Sequence, residues 1–439
     1  MPSITRRQLL SRASRAALTA SAAAALAGCS PKGQSGSAGK GSGVKLEFWH
    51  TQTQDNKKVL EAMVERFNTT NGQGISVNLL GQQDYTNNNR NIMLAIQSRT
   101  LPDITVAYPS MIADYMKAKV LAPAEEFVDG KDGLTKESLA DIFPAYLDDN
   151  RHPFFENRLL SFPFTKSVLC TYTNDDVLKA AGKAIPGTWD EFSAAVLAAT
   201  DPAAAPPRKG LVMEVNPSTL DGWIYSNGGK LLAADNKHVR FDEPAAVELF
   251  ARIGDLFKRG AAYQVPKDEY QQDFGAGRAA MFCGSSTRRD LVGRAVSGHH
   301  HWSIANIPQK DVTHPVTVLY GANICIFRSS PEKEKAAWAF IKWLTEREQA
   351  AEWSTKTTYM PLRKSVAQSP VMKAAWQKDP QGYQAFQLLP FAVPEPQVGG
   401  WQEVRDILKE AMVAVITGKS TAQAAMKDAA QKANAVLAG

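Results

Sequence analysis

The apolar pattern of residues 44–108 switches period four times, and that alternation limits the folds open to the chain. Residues 44–49, VKLEFW, alternate in the manner of a strand. Val59, Leu60, Met63, Val64 and Phe67 then fall on one helical stripe within residues 55–67, and residues 75–79, ISVNL, alternate again. A helical stretch over residues 89–98 leads to a further strand at 103–108. Strand, helix, strand, helix, strand predicts an α/β unit with a parallel sheet. Ligands of such sheets collect beyond the carboxyl ends of the strands, which singles out Trp49, His50, Tyr85 and Tyr108.

Helical periodicity continues at residues 188–200, 244–259, 332–351 and 403–416, while Pro206-Pro207 and residues 390–400 read as surface loops. The 396 residues from 44 to 439 exceed what one core usually supports, so two domains are expected.

The segment before residue 44 has a different character. Arg6, Arg7, Arg12 and Arg15 precede a small apolar run, residues 16–27, that is too short for a permanent membrane span of roughly 20 residues. Thr5-Arg6-Arg7-Gln8-Leu9-Leu10 resembles a twin-arginine export signal, and Leu26-Ala27-Gly28-Cys29 resembles a bacterial lipobox. Residues 1–28 are therefore expected to be an export signal, and Cys29 the site of lipidation. Residues 29–43, rich in Gly and Ser after the cysteine, are expected to be a flexible tether that holds the body outside the cytoplasmic membrane by its lipid anchor alone.

Charge narrows the partners. The formal net charge is +6, of which the four arginines named above and Lys32 and Lys40 of the tether account for all. A body near neutrality gives no reason to expect nucleic acid. Cys170, Cys283 and Cys325 sit in apolar contexts without metal-ligand spacing and read as buried thiols, with one disulfide left open. No metal and no cofactor is expected.

Three segments carry a resemblance. Residues 185–192, IPGTWDEF, residues 274–281, FGAGRAAM, and the stretch from Phe340-Ile341-Lys342-Trp343-Leu344 to Tyr359-Met360-Pro361 are similar, in this order, to motifs of the extracytoplasmic solute-binding proteins of ATP-driven importers. The group is the one that includes maltose- and glycerol-3-phosphate-binding proteins. The resemblance implies an α/β, two-lobed periplasmic-binding-protein fold of type II, with lobes joined by hinge crossings and a ligand cleft between them. It places lobe one at 44–163 and 322–350 and lobe two at 164–321 and 351–439. It also implies a monomer that delivers a small carbohydrate or polyol phosphate to the transmembrane subunits of an ABC permease.

The glycerol-3-phosphate-binding branch supplies candidate contacts: Tyr85, Ser167, Ser285, Ser286, Gly321 and Tyr359 stand where its ligand contacts stand. Two positions depart from it. Pro109 replaces a Glu, and Gln397 aligns with its phosphate-binding Arg, which removes a bidentate phosphate partner. Lys166, Arg405 and a helix start at 284–287 are candidates to compensate. Sugar sites also need flat apolar faces and hydroxyl partners, which adds the loop tryptophans Trp223 and Trp401, together with Asn323 beside Gly321. A neutral saccharide is the first expectation for the ligand, and glycerol phosphate or its diester the second.

A secreted hydrolase is the competing class. The chain has no G-x-S-x-G, H-E-x-x-H or phosphate-loop motif, and His299-His300-His301 point in three directions as neighbours in one loop. No enzymatic activity is expected.

Overall fold

The computed structural model describes residues 43–266 and 269–438; the expected export signal and Cys29 lie outside the described residues. The first sheet runs in the order Ser76–Gly81, Lys45–His50, Ile104–Ala107, Asn323–Phe327, Leu121–Ala122. Its first three strands are parallel, as the alternation at 44–108 requires, and Asn323–Phe327 enters antiparallel from far along the chain. Helix Gln54–Thr70 buries Leu60, Met63, Val64 and Phe67 against this sheet. Phe67 meets Phe340 edge-on at 5.0 Å, within a core that includes Phe48.

The second sheet runs Ala262–Gln264, Lys209–Met213, Ala279–Ser285, Ser167–Asn174, Thr317–Tyr320, Ala392–Val393, with Trp302–Ala305 also on Ser167–Asn174. Its central strand Ser167–Asn174 is buried at every position. Helix Trp189–Ala199, within the helical stretch expected at 188–200, opens with a capping box between Thr188 and Glu191.

Several boundaries differ from the sequence expectation. Asp84 accepts a hydrogen bond from the Asn87 amide at 2.8 Å, so the helix expected from 89 starts at Tyr85. The single helix expected over 332–351 is two, Pro331–Leu344 and Arg347–Lys356. The expected lobe boundary at 350 falls inside the latter, whose Glu352 pairs with Arg66 and whose Trp353 stacks on Phe164 at 5.2 Å. Within the loop expected at 390–400, Ala392–Val393 adds an edge to the second sheet.

The chain crosses between the sheets at 163–167 and 320–323, side by side. Thr165 N donates to Ala322 O at 3.1 Å, and Ala322 N donates back to Thr165 Oγ1 at 3.0 Å. Gly321 between them has φ +109°, and a Cβ there would stand 1.7 Å from Thr165 O. A third strand of chain joins when Met360 N donates to Lys166 O at 2.8 Å. Cys170, Cys283 and Cys325 are all free thiols.

Candidate functional site

The crossings floor a cleft of about 500 Å³, a size suited to small ligands. One wall comes from the carboxyl ends of the first sheet: Thr51 and Gln52 after Lys45–His50, and Tyr108 after Ile104–Ala107. Tyr108 precedes Pro109, which starts helix Pro109–Lys117 and fixes the turn. Tyr85 and Tyr108 pack with ring centres 4.6 Å apart. Tyr359 ends an aromatic stack, lying on Trp353 at 5.7 Å and 9°. Burial raises the phenol pKa of both Tyr108 and Tyr359, so both stay protonated and present a donor as well as a face.

The opposite wall belongs to the second sheet. Ser167 and Ser285 meet at 3.1 Å, and Ser285 accepts from Thr287 N at 3.3 Å. Glu214, Asn216 and Ser218 follow strand Lys209–Met213. Arg405 reaches in from helix Trp401–Ile416, donates to Ser218 Oγ, and stands 3.5 Å from Glu395 Oε2. Its guanidinium lies 5.4 Å from the Tyr108 ring centre. Burial works against that charge, but the carboxylate of Glu395 above all holds its pKa above the ordinary value.

Of the residues expected from sequence, Tyr85, Tyr108, Ser167, Ser285, Gly321, Tyr359 and Arg405 line this cleft. The other seven do not. Trp223 is fully enclosed, edge-on to Trp189 at 5.6 Å, because helix Pro217–Ser226 is buried on nearly every face. Trp401 is likewise enclosed against Phe241. Lys166 turns away from the cleft to Asp149 Oδ2 at 2.6 Å and Asn323 Oδ1 at 2.5 Å, which also removes Asn323. Ser286 Oγ is spent on the Val168 amide at 3.2 Å.

Trp49 packs beside the cluster of Ile92, Met111 and Tyr115, and the buried His50 ring accepts from Gln52 N at 3.1 Å. Burial lowers the His50 pKa to about 4, which keeps it neutral. The expected helix start at 284–287 is a 3₁₀ turn, Ser286–Arg288, capped by Ser285 and continuing directly into helix Arg289–Val296. Gln397 donates to Asp148 O at 3.0 Å. Sequence reasoning missed Gln52, Glu214, Asn216, Glu395 and Gln402. The strand-end rule that chose Tyr108 also reaches Glu214 and Asn216 once Lys209–Met213 is known to be a strand; Glu395 and Gln402 carry no such signal.

Among the described residues no group of three or more His, Cys, Asp or Glu side chains is arranged to hold a metal, and His301 pairs with Asp176. No described helix is long and apolar enough to cross a membrane.

Two sheets joined by crossing strands, with a polar, tyrosine-faced cleft at the join, define a two-lobed binding protein. The chain belongs to the bacterial extracellular solute-binding protein family, whose profile matches residues 62–383. The sn-glycerol-3-phosphate-binding periplasmic protein UgpB of Escherichia coli K12 is 24% identical over 411 residues, covering 89% of this chain and 92% of that protein. The GacH receptor of Streptomyces glaucescens, solved unliganded and with acarbose, superimposes with a TM-score of 0.77 at 20% identity, over 90% of this chain and 99% of that one. UgpB of Mycobacterium tuberculosis, solved with glycerophosphocholine, gives 0.77 at 19% identity over 91% and 99%. The chain is thus a substrate-binding protein of the kind that serves ABC importers.

Proposed function

We propose that this protein captures a neutral saccharide in the cleft between its lobes and delivers it to the transmembrane subunits of an ABC permease, while a lipid on Cys29 keeps it at the membrane. It acts as a monomer and performs no chemistry on its ligand. The observation that carries the ligand class is the state of the two cations proposed to hold a phosphate. Arg405 already faces Glu395 at 3.5 Å, and Lys166 is turned to Asp149 outside the cleft. Neither is a spare charge for a phosphate. Beside charged side chains of both signs, the wall offers tyrosine faces, serines and the amides of Gln52, Asn216 and Gln402, which suit hydroxyls.

A glycerol phosphate or its diester is the second reading, favoured by Arg288 and Lys409 on the same wall. Ligand that bridges both lobes shifts the population to the closed form, because only that form makes both sets of contacts. The test is thermal unfolding of residues 30–439 against neutral mono- and oligosaccharides and against glycerol phosphates with their diesters. A ligand at 100 times its Kd stabilises by about 2.7 kcal/mol. Stabilisation by saccharides alone supports the first reading, and stabilisation by phosphates alone replaces it with the second.

A further inference from the structure

Behind Arg405 the wall contains more buried carboxyl oxygen than its donors serve. Asp221, on helix Pro217–Ser226, is fully enclosed one turn from Ser218, and neither of its carboxyl oxygens has a hydrogen-bond donor in ordinary geometry. Glu395 Oε1 is in the same position, with Glu395 only 7% exposed. The groups that face Asp221 come from every element around it: Glu395 from the chain after Ala392–Val393, Arg405 and the Trp401 indole N–H from helix Trp401–Ile416, Tyr320 from strand Thr317–Tyr320, and Tyr225 from its own helix. One guanidinium serves two carboxyl groups. With both ionised, a negative charge would stand buried and uncompensated, and a bound proton is the cheaper state.

We infer that Asp221 is a positioning residue of the cleft: it keeps its proton at neutral pH, donates it to Glu395, and so leaves Arg405 with one counter-charge and the ligand with a charge-balanced wall. The single proton meets two of the three orphaned oxygens, one on Asp221 and Oε1 of Glu395, since protonated Asp221 becomes the donor that Glu395 lacks. Burial, then the charge of Glu395, pushes the Asp221 carboxyl well above the usual carboxylate range, against the pull of Arg405 and the Trp401 indole. Asp221 does not touch the cleft itself. It acts through Glu395 and Arg405, whose hydrogen bond to Ser218 fixes the guanidinium over Tyr108. The consequence for binding rests on the saccharide reading above: a balanced wall suits a neutral ligand, and ionisation of Asp221 at alkaline pH would draw Arg405 toward a second carboxylate.

Two measurements on the tethered-body chain, residues 30–439, test this. The infrared difference spectrum between wild type and Asp221→Asn at neutral pH should show one protonated carboxyl C=O band in the wild type that the variant lacks. In Glu395→Gln, where Asp221 is left as the partner of Arg405, that band should vanish as well. With maltose as the probe, wild-type affinity should fall on the order of tenfold on the alkaline side, while Asp221→Asn, which cannot ionise, should bind with the same affinity across the range. Absence of the protonated band in the wild type overturns the inference, as does an alkaline fall that Asp221→Asn shares. Should the Asn variant fail to fold, Glu395→Gln alone decides through the band. Absence of maltose binding at every pH, with the band present, counts against the saccharide reading and leaves the proton on Asp221 established.

Discussion

Lys166 and Asp149 form an ion pair, Nζ to Oδ2 at 2.6 Å, with the lysine side chain wholly enclosed where the chain crosses between the two sheets. Asn323 from the other crossing bonds both, accepting from Lys166 and donating to Asp149 at 3.0 Å. Burial lowers the lysine pKa, and Asp149 opposes that. Asp149→Ala therefore strands a buried ammonium, and urea unfolding should show a loss of about 3–5 kcal/mol. A change below about 1 kcal/mol would mean that the pair is solvated.

Gly321→Ala should be more severe. The residue holds φ +109°, and its Cβ would fall 1.7 Å from a backbone oxygen that belongs to the adjacent crossing and has no room to retreat. Expression with a native-like circular dichroism spectrum and unchanged melting would contradict the account of the crossings.

Trp223→Ala and Tyr359→Ala should separate stability from binding. Trp223 is core, so its truncation should cost about 3–5 kcal/mol of stability. Tyr359 lines the cleft, and its truncation should weaken saccharide binding by about tenfold or more with a smaller stability loss. Calorimetric titration and urea unfolding of the two variants give the comparison; the reverse ranking would exchange their roles.

His152 makes the fold acid-sensitive. It is fully buried with neither ring nitrogen in a hydrogen bond of ordinary geometry, and burial lowers its pKa from 6.5 to about 4 against the pull of Asp149 and the Gln397 backbone. The unfolded chain takes up a proton as pH falls through 6.5 and the folded one does not until about 4, so stability present above 6.5 is lost between those values. The loss is on the order of 3 kcal/mol. His152→Leu should flatten that slope in urea unfolding at neutral and at mildly acidic pH; a slope equal to wild type would place the effect elsewhere.

The residues show how far the sequence can be read. Strand Lys45–His50 and helix Gln54–Thr70 were legible because each buries one face and exposes the other, so hydrophobic period and structure coincide, while Ile104–Ala107, buried at every position, was legible as a short run rich in β-branched residues. Trp223 was misread because a helix enclosed on most sides, such as Pro217–Ser226, carries no stripe to separate core from site, and Trp401 because it follows two glycines of a loop although it heads the buried stripe of helix Trp401–Ile416. Lys166 and Asn323 were expected at the ligand because nothing local shows that they face each other across 157 residues. Tyr85, Ser167, Ser285, Gly321 and Tyr359, singled out through the resemblance, do stand in the cleft wall. Glu395 and Asp221 meet only through the packing of helix Trp401–Ile416 on helix Pro217–Ser226, a long-range arrangement without a local motif.

The most direct test of the central claim is small-angle scattering of residues 30–439 with and without a saccharide that thermal unfolding shows to be saturating. Ligand held between lobes that close on it should reduce the radius of gyration, and Tyr85→Ala with Tyr359→Ala should abolish the change at the same concentration. A radius that stays constant at saturation would contradict capture between the two lobes.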